Sequence, residues 1–273
     1  MAVNATVTGL DIYPLKSARG IARRSVRVAA AGFEWDRQWM VIDPQGMFLS
    51  QRTHPQLARI VPEIGAAALT LHAPDLPALT LPLAGDGERI AVRVHRDPCV
   101  GLDQGDGAAA WLSEAVRQRV RVVRVPPQPQ RRANPRFAGS VPAPMGFADG
   151  YPVLICNQAS LADLNARMPE AVPMDRFRPN LVLAGLEAWA EDRIATLTIG
   201  ELTLRLVKPC TRCTIPAVDQ HTGLAATDPT PVLREFRFSK ELRGVTFGVN
   251  AVIVSGTDSH IECGSSCRVT FAT

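Results

Sequence analysis

Up to Asp97 the chain is cut into short runs in which apolar and polar residues alternate, a pattern that folds as strands rather than helices. SVRVAAAG, WMVIDPQGMFLS, ALTLHAP, ALTLPL and RIAVRVHRD follow one another with turn residues between them. The opening run, AVNATVTGLDIYPL, alternates too, but its parity switches around Gly9, which predicts a β-bulge there. DPQG and AGDGE have the composition of hairpin turns. Strands at this density imply a small barrel or sandwich. One helix interrupts them: in GDGAAAWLSEAVRQRV, Trp111, Leu112, Ala115 and Val116 share one helical face, and Arg117 and Arg119 another.

A break follows. Val125–Gly146 carries six prolines and three arginines and reads as a long connection that forms neither a helix nor a central strand. Beyond it, YPVLICN and NLVLAGL read as buried strands. Asn157 is placed to cap a helix over QASLADLNARM, with Leu161 and Leu164 on one face. ATLTIGELTLRLVK predicts a hairpin turning at Gly200 and Glu201, DPTPVLREF a short helix, and FGVNAVIVSG and SHIECGSSCRVTFAT closing strands. The expected fold class is β-rich α+β, with a β-barrel-like domain over residues 1–122 and a second β-rich domain with peripheral helices over 123–273, which the resemblance given below makes a β-barrel.

Composition restricts function more than fold. With 273 residues, 46% hydrophobic and 21% charged, the chain supports one large domain or two smaller ones. It has no apolar run of membrane-spanning length, and its first residues lack a basic stretch followed by an apolar one, so a cytoplasmic protein without a membrane partner is expected. Six cysteines without an export signal read as thiols. A net charge of +4 suits an anionic ligand. Arg131, Arg132 and Arg136 read as solvated loop charges. With Phe137 their one aromatic neighbour, no nucleic-acid partner is expected.

The segment most suited to chemistry is VKPCTRCTIPAVDQHTG, residues 207–223. Its C-x-x-C spacing has three readings. Cys210 and Cys213 with Cys263 and Cys267 would make a structural zinc site, although the second pair sits in a strand-like stretch. A thioredoxin-like dithiol would need a helix to begin at the motif, which Pro209 and Ile215-Pro216 oppose. A single thiolate ligand suits the adjacent Arg212 and Lys208, whose charges favour the metal-binding form.

Six ordered blocks resemble MOSC-domain proteins, in particular the amidoxime-reducing components and their bacterial relatives. Within the cysteine motif, Cys210, Arg212, Cys213, Val218, Asp219 and Gly223 fit that family's pattern. DIYPLKSARG, EWDRQWMVIDPQGMFLSQR, FADGYPVLICNQASLADLN, DRFRPNLVLAG and FGVN match its other blocks. The resemblance makes residues 1–122 the N-terminal MOSC β-barrel domain and 123–273 the MOSC domain. It implies a molybdenum cofactor, Mo-molybdopterin, with Cys213 as protein ligand to the metal; pyridoxal phosphate is not expected. It places Lys16, Ser17, Arg37, Arg178, Asn180, Thr211, Arg212 and Asn250 at positions that hold the pterin and its phosphate. Lysine and arginine suit a phosphate, and asparagine or threonine the amide-like pterin edge. Asp219 is a candidate to orient the ligand loop or supply protons, while His221 reads as a surface residue in a turn.

The activity implied is reduction of N-hydroxylated small molecules such as amidoximes, hydroxylamines and N-hydroxylated bases. No iron–sulfur cysteine pattern follows the motif, so electrons are expected from a separate flavin or iron–sulfur protein. Gly150 and Tyr151 stand where animal members of the family tend to have small hydroxylated residues. Two rival expectations are a non-catalytic molybdenum-cofactor or sulfur carrier and the four-cysteine zinc protein.

Overall fold

The computed structural model describes residues 3–272. Its larger body is a closed barrel of seven strands: β1 (Val3–Ile12), β2 (Val153–Asn157), β3 (Leu181–Ala184), β4 (Ile194–Ile199), β5 (Leu202–Thr211), β6 (Gly244–Ser255) and β7 (Ser266–Phe271). Around the barrel the order is β2-β3-β1-β7-β4-β5-β6, and β6 pairs back onto β2. Only β2 and β3 run parallel to one another, and the helix α2 (Gln158–Ala166) lies between them in sequence. Closure leaves no barrel edge unpaired. The inward residues form one apolar core, including Val7, Leu10, Ile155, Leu183, Leu197, Leu204, Ala251 and Val269.

Strand β1 explains why the first residues cannot be separated in space from the last. It pairs with β3 and with β7, so the chain begins inside the barrel that its C-terminal half builds. The parity switch at Gly9 is a register shift between Val7 and Gly9 opposite β3. A side chain at Gly9 would press on Val182 across the sheet.

The intervening residues form a smaller β-rich body. Trp39–Ile42, Arg121–Arg124, Asp97–Asp103 and Arg89–Val94 make an antiparallel sheet in that order, and Val61–Ile64, Ala68–His72 and Leu79–Pro82 make a second. Helix α1 (Asp106–Val116) buries Trp111, Leu112 and Val116 against Trp39, Leu57, Leu69 and Leu71. Asn157 caps α2 as expected, its side chain accepting from the Ala159 amide. DPTPVLREF holds the helix α3 (Thr230–Arg237).

Four expectations are corrected. AGDGE is not a hairpin turn, because the strands on either side of it belong to different sheets; Gly87 lets this link pass tightly over the Asp103 backbone. The proline-rich connection does contain one helical turn, Pro135–Ala138. Proline is tolerated at a first helical position, and Asn134 caps the Arg136 amide at 2.9 Å. Arg131 is not a solvated charge: it is 5% exposed, donates to the carbonyls of Gly146 and Ala148, and pairs with Asp97. Cys263 and Cys267 do not form the second pair of the zinc reading. Cys263 is exposed after its strand, near the Arg23 carbonyl, and Cys267 is packed in the barrel core.

Candidate functional site

A cleft of about 270 Å³ opens where the smaller body meets the barrel. Its floor comes from β5, the loop after it, and β6. The β5–β6 register sets Lys208 opposite Asn250, and the Asn250 amide donates to the Lys208 carbonyl at 3.2 Å. Cys210 and Thr211 end β5, and Arg212 and Cys213 follow in the loop. Its walls come from the Leu15–Ala18 turn after β1, the Asp36–Arg37 turn, Phe48–Arg52, Ala148–Tyr151 and the Arg178–Asn180 turn into β3.

The structure thus brings Lys16, Ser17, Arg37, Arg178, Asn180, Thr211, Arg212, Cys213 and Asn250 to one cleft. Three of them, Ser17, Arg37 and Arg178, hold left-handed backbones at φ 69°, 48° and 54°. This region is sparsely used by residues other than glycine, and such positions cluster at functional sites.

Charge is the dominant property. Lys16, Arg37, Arg52, Arg178, Lys208 and Arg212 line the cleft, against the single carboxylate of Asp149. Lys16 is 5% exposed, and its ammonium donates to the Phe147 carbonyl and to Asp149. Burial pushes Asp149 upward, but Lys16 and His95 outweigh it and hold the carboxyl well below its usual range. Arg37 donates to Asp36 at 2.6 Å and to the Asn180 side chain at 2.9 Å. Arg178 has no carboxylate partner and donates to the Gln220 amide oxygen at 2.8 Å. Burial pushes its guanidinium down to about 10, and neighbouring Arg37 adds to the shift. Arg212 donates to the Cys210 sulfur at 3.1 Å and to the Phe177 carbonyl at 2.9 Å, and its buried Nε has no partner.

Two expected residues have their polar groups taken up by the protein. Asn180 is only 2% exposed, and both ends of its amide are taken by the protein. Its oxygen accepts from Arg37 and from the Leu154 amide, and its nitrogen donates to the Asp11 carbonyl. It fixes Arg37 and joins β1 to β2. Asp219 does not line the cleft. Its carboxylate accepts from the His221 and Thr222 amides and the Thr222 hydroxyl, closing its own turn, and it faces Arg176 at 3.8 Å. The Thr222 amide is the main reason its pKa is lowered. His221 is exposed and lies 3.3 Å from Asp175.

Sequence reasoning gave Gln51 and Gln220 no role. They are 1% and 3% exposed and exchange amide hydrogen bonds of 2.9 and 3.0 Å. Gln51 also donates to the Ser17 carbonyl. This pair ties the cysteine-motif loop to the Ser17 turn and, through Gln220, holds Arg178. The only sequence signal was their place inside two matched blocks. Phe48, Ser50, Arg52 and Asp149 also line the cleft, none of them marked by the sequence, and so does Lys208 of the cysteine motif.

Asp11, beside this network on β1, makes a pH test. Burial and then Asp175 push its carboxyl up from 3.8 to about 6. A raised acid pKa means the charged form burdens the folded state above pH 6, and the burden disappears as pH falls towards 4. Asp11→Asn is therefore expected to add about 1 kcal/mol of stability at pH 7.5, after allowance for partial exposure. Urea titrations across pH check this; a gain that persists unchanged at pH 4 would refute the assignment.

The donor set fits an anionic, thiol-ligated cofactor. Arg178, buried and without a carboxylate, Arg212 and the Cys213 thiol line one positively charged cleft. It does not fit zinc: among the described residues no three of His, Cys, Asp and Glu gather to hold a metal. No described helix is long and apolar enough to cross a membrane.

Comparison with known proteins identifies the two domains and their relatives. Residues 4–119 match the MOSC N-terminal beta barrel domain, and residues 142–268 match the MOSC domain. Mitochondrial amidoxime-reducing component 1 of Mus musculus is 31% identical, over 89% of this chain and 74% of its own length. The Homo sapiens protein of that name is 33% identical over 85% and 72%. A molybdenum cofactor sulfurase of Danio rerio is 31% identical over 90% of this chain, which spans 32% of that protein.

Proposed function

Because this chain belongs to the MOSC-domain family that includes the mitochondrial amidoxime-reducing components, we propose that it is a molybdenum-cofactor-dependent oxidoreductase reducing N-hydroxylated small molecules. The observation that carries this reading is the convergence of Cys213, Arg212, Arg178, Arg37 and Lys16 on one cleft with a single opposing carboxylate. Its relatives are named for reducing amidoximes. Bound through Cys213, the molybdenum would supply two-electron redox chemistry at an N–O bond.

The chain's own residues bind and orient. Arg37 and Arg178 suit the phosphate of the cofactor, as does Lys16 once its ammonium turns from Asp149. Asn250 and Thr211 suit the pterin edge. Arg212, fixed by the Phe177 carbonyl, engages Cys210 and leaves Cys213 as the thiol free for the metal. Phe177 stacks on Phe247 with ring centroids 3.7 Å apart, giving the floor a rigid apolar base. A separate flavin or iron–sulfur protein would deliver the electrons. An amidoxime would take up two electrons and two protons and yield an amidine and water.

The test is anaerobic assay of protein made in a molybdopterin-competent host, with a strong chemical electron donor. Amidine formation at two electrons per turnover supports the reading. Molybdenum-loaded protein that reduces neither an amidoxime nor a hydroxylamine would favour a cofactor or sulfur carrier, the alternative that the sulfurase relative supports.

A further inference from the structure

Two of the guanidinium groups on the cleft wall share an aromatic neighbour. The central carbons of Arg37 and Arg178 lie 4.3 and 4.2 Å from the centroid of the Tyr13 ring, each over its face. The residue is also held by groups next to each arginine, and the Arg37 amide donates to its carbonyl at 2.9 Å. Tyr13 is 2% exposed, its hydroxyl donates to the Pro179 carbonyl at 3.0 Å, and its amide donates to Asp36 at 2.9 Å. Gly20 backs the ring so closely that a Cβ there would stand 2.6 Å from Tyr13 Cε1.

This arrangement answers a physical difficulty. Two arginines brought to one wall repel each other, and a low local dielectric sharpens the repulsion. Asp36 relieves Arg37, but Arg178 has no carboxylate and only an amide oxygen. Asp11, Asp36 and Asp149 attract Arg178 from beyond ion-pair distance, while the negative π face of the buried ring is in contact with both cations. Left-handed backbones at Arg37 and Arg178 turn the chain at those two positions.

We propose that Tyr13 is a positioning residue whose π face holds the Arg37 and Arg178 guanidinium groups together on the cleft wall, and so sets the affinity of the cleft for a phosphoryl dianion. The inference rests on the cleft being an anion site, as the proposed function requires. It assigns to the ring of the YPLKS block a role in recognition beyond filling the core.

The experiment measures binding of inorganic phosphate to the full chain, purified without cofactor, by calorimetry. Tyr13→Phe keeps the ring and loses only the hydroxyl, so affinity should stay within about threefold of the native value. Position 13 is then filled with 3,5-difluorophenylalanine and with pentafluorophenylalanine, which keep the ring's approximate size while weakening and then reversing its quadrupole. Affinity should fall in steps, reaching roughly tenfold below Tyr13→Phe for the pentafluoro ring. The graded series does not depend on a cavity-forming variant that could fail to fold. Equal phosphate affinity across the three rings overturns the inference, as does a tenfold loss already in Tyr13→Phe. Native protein that binds no phosphate, or binds it equally well with Arg178→Ala, overturns the anion-site reading itself and this inference with it.

Discussion

Cys213→Ala protein made in a molybdopterin-competent host is expected to retain less than about a tenth of the native molybdenum, while Cys210→Ala retains nearly all of it. The asymmetry follows from what each sulfur touches. Cys210, at the end of β5, already accepts a hydrogen bond from Arg212 at 3.1 Å. Cys213 lies beyond the strand, half-buried on the cleft lining, and among the described residues its sulfur has no hydrogen-bond partner. Cys156, the other thiol near Arg212, cannot substitute: complete burial pushes its pKa well above the ordinary value, so it stays protonated. Metal analysis with the pterin content determined in parallel checks this. Equal loss of molybdenum from both variants would show that the two thiols act as a pair, and the single-ligand assignment would fall. Zinc in place of molybdenum is opposed by the structure, since Cys267 is sealed in the barrel core and Cys263 is exposed.

The strands and their faces were legible because alternation is a local property. The bulge at Gly9, the Asn157 cap, the turn at Gly200 and the helix at Thr230 all appear where residue type demanded them. What strand pairs with what is not local. Nothing in AVNATVTGLDI indicates that it closes a barrel made largely of residues 153–271. The burial of Arg131 is likewise not local. An arginine in a proline-rich stretch looks solvated until the Gly146 and Ala148 carbonyls fold over it.

The site was legible in its residue types but not in its connections. Cations, cysteine and asparagines are the chemistry an anionic thiol-ligated group needs, and blocks far apart in sequence carried them. Sequence could not separate groups that face the cleft from groups that hold those groups in place. Gln220 belongs to the second kind, and so does Asn180 although it lines the cleft, because every polar atom of their amides is taken by the protein. Asp219 belongs to it as well. An Asp followed by turn residues closes the turn first, since two adjacent amides lie within reach of its carboxylate. Tyr13 is the least legible of all, because a buried tyrosine near a strand end reads as core, and only the placement of two arginine side chains over its ring distinguishes it.

Gly248→Ala is expected to lower stability by about 3 kcal/mol, and Gly248→Val by more. Gly248 stands in β6 with φ at +72°, a conformation that an L side chain adopts at a penalty of about 1–2 kcal/mol. A Cβ there would also lie 2.6 Å from the Cys156 sulfur and 2.8 Å from the Ile155 carbonyl oxygen. Neither neighbour can move away easily, because Ile155 and Cys156 are fully buried in β2, Ile155 paired with both β3 and β6 and Cys156 with β3. Strain and overpacking therefore add, and together they are a large fraction of the roughly 5–15 kcal/mol that holds a domain folded. The effect extends to function, because β6 carries Asn250 two residues later, opposite Lys208 of the strand that ends in the cysteine motif. Gly150→Ala provides the contrast, since a Cβ at Gly150 meets nothing within 4 Å and its φ is not left-handed. That change is expected to stay within about 0.5 kcal/mol of the native value. Urea unfolding of both variants decides the matter. If Gly248→Ala unfolds within about 1 kcal/mol of the native protein, β2 and β6 are not held as tightly as the barrel requires.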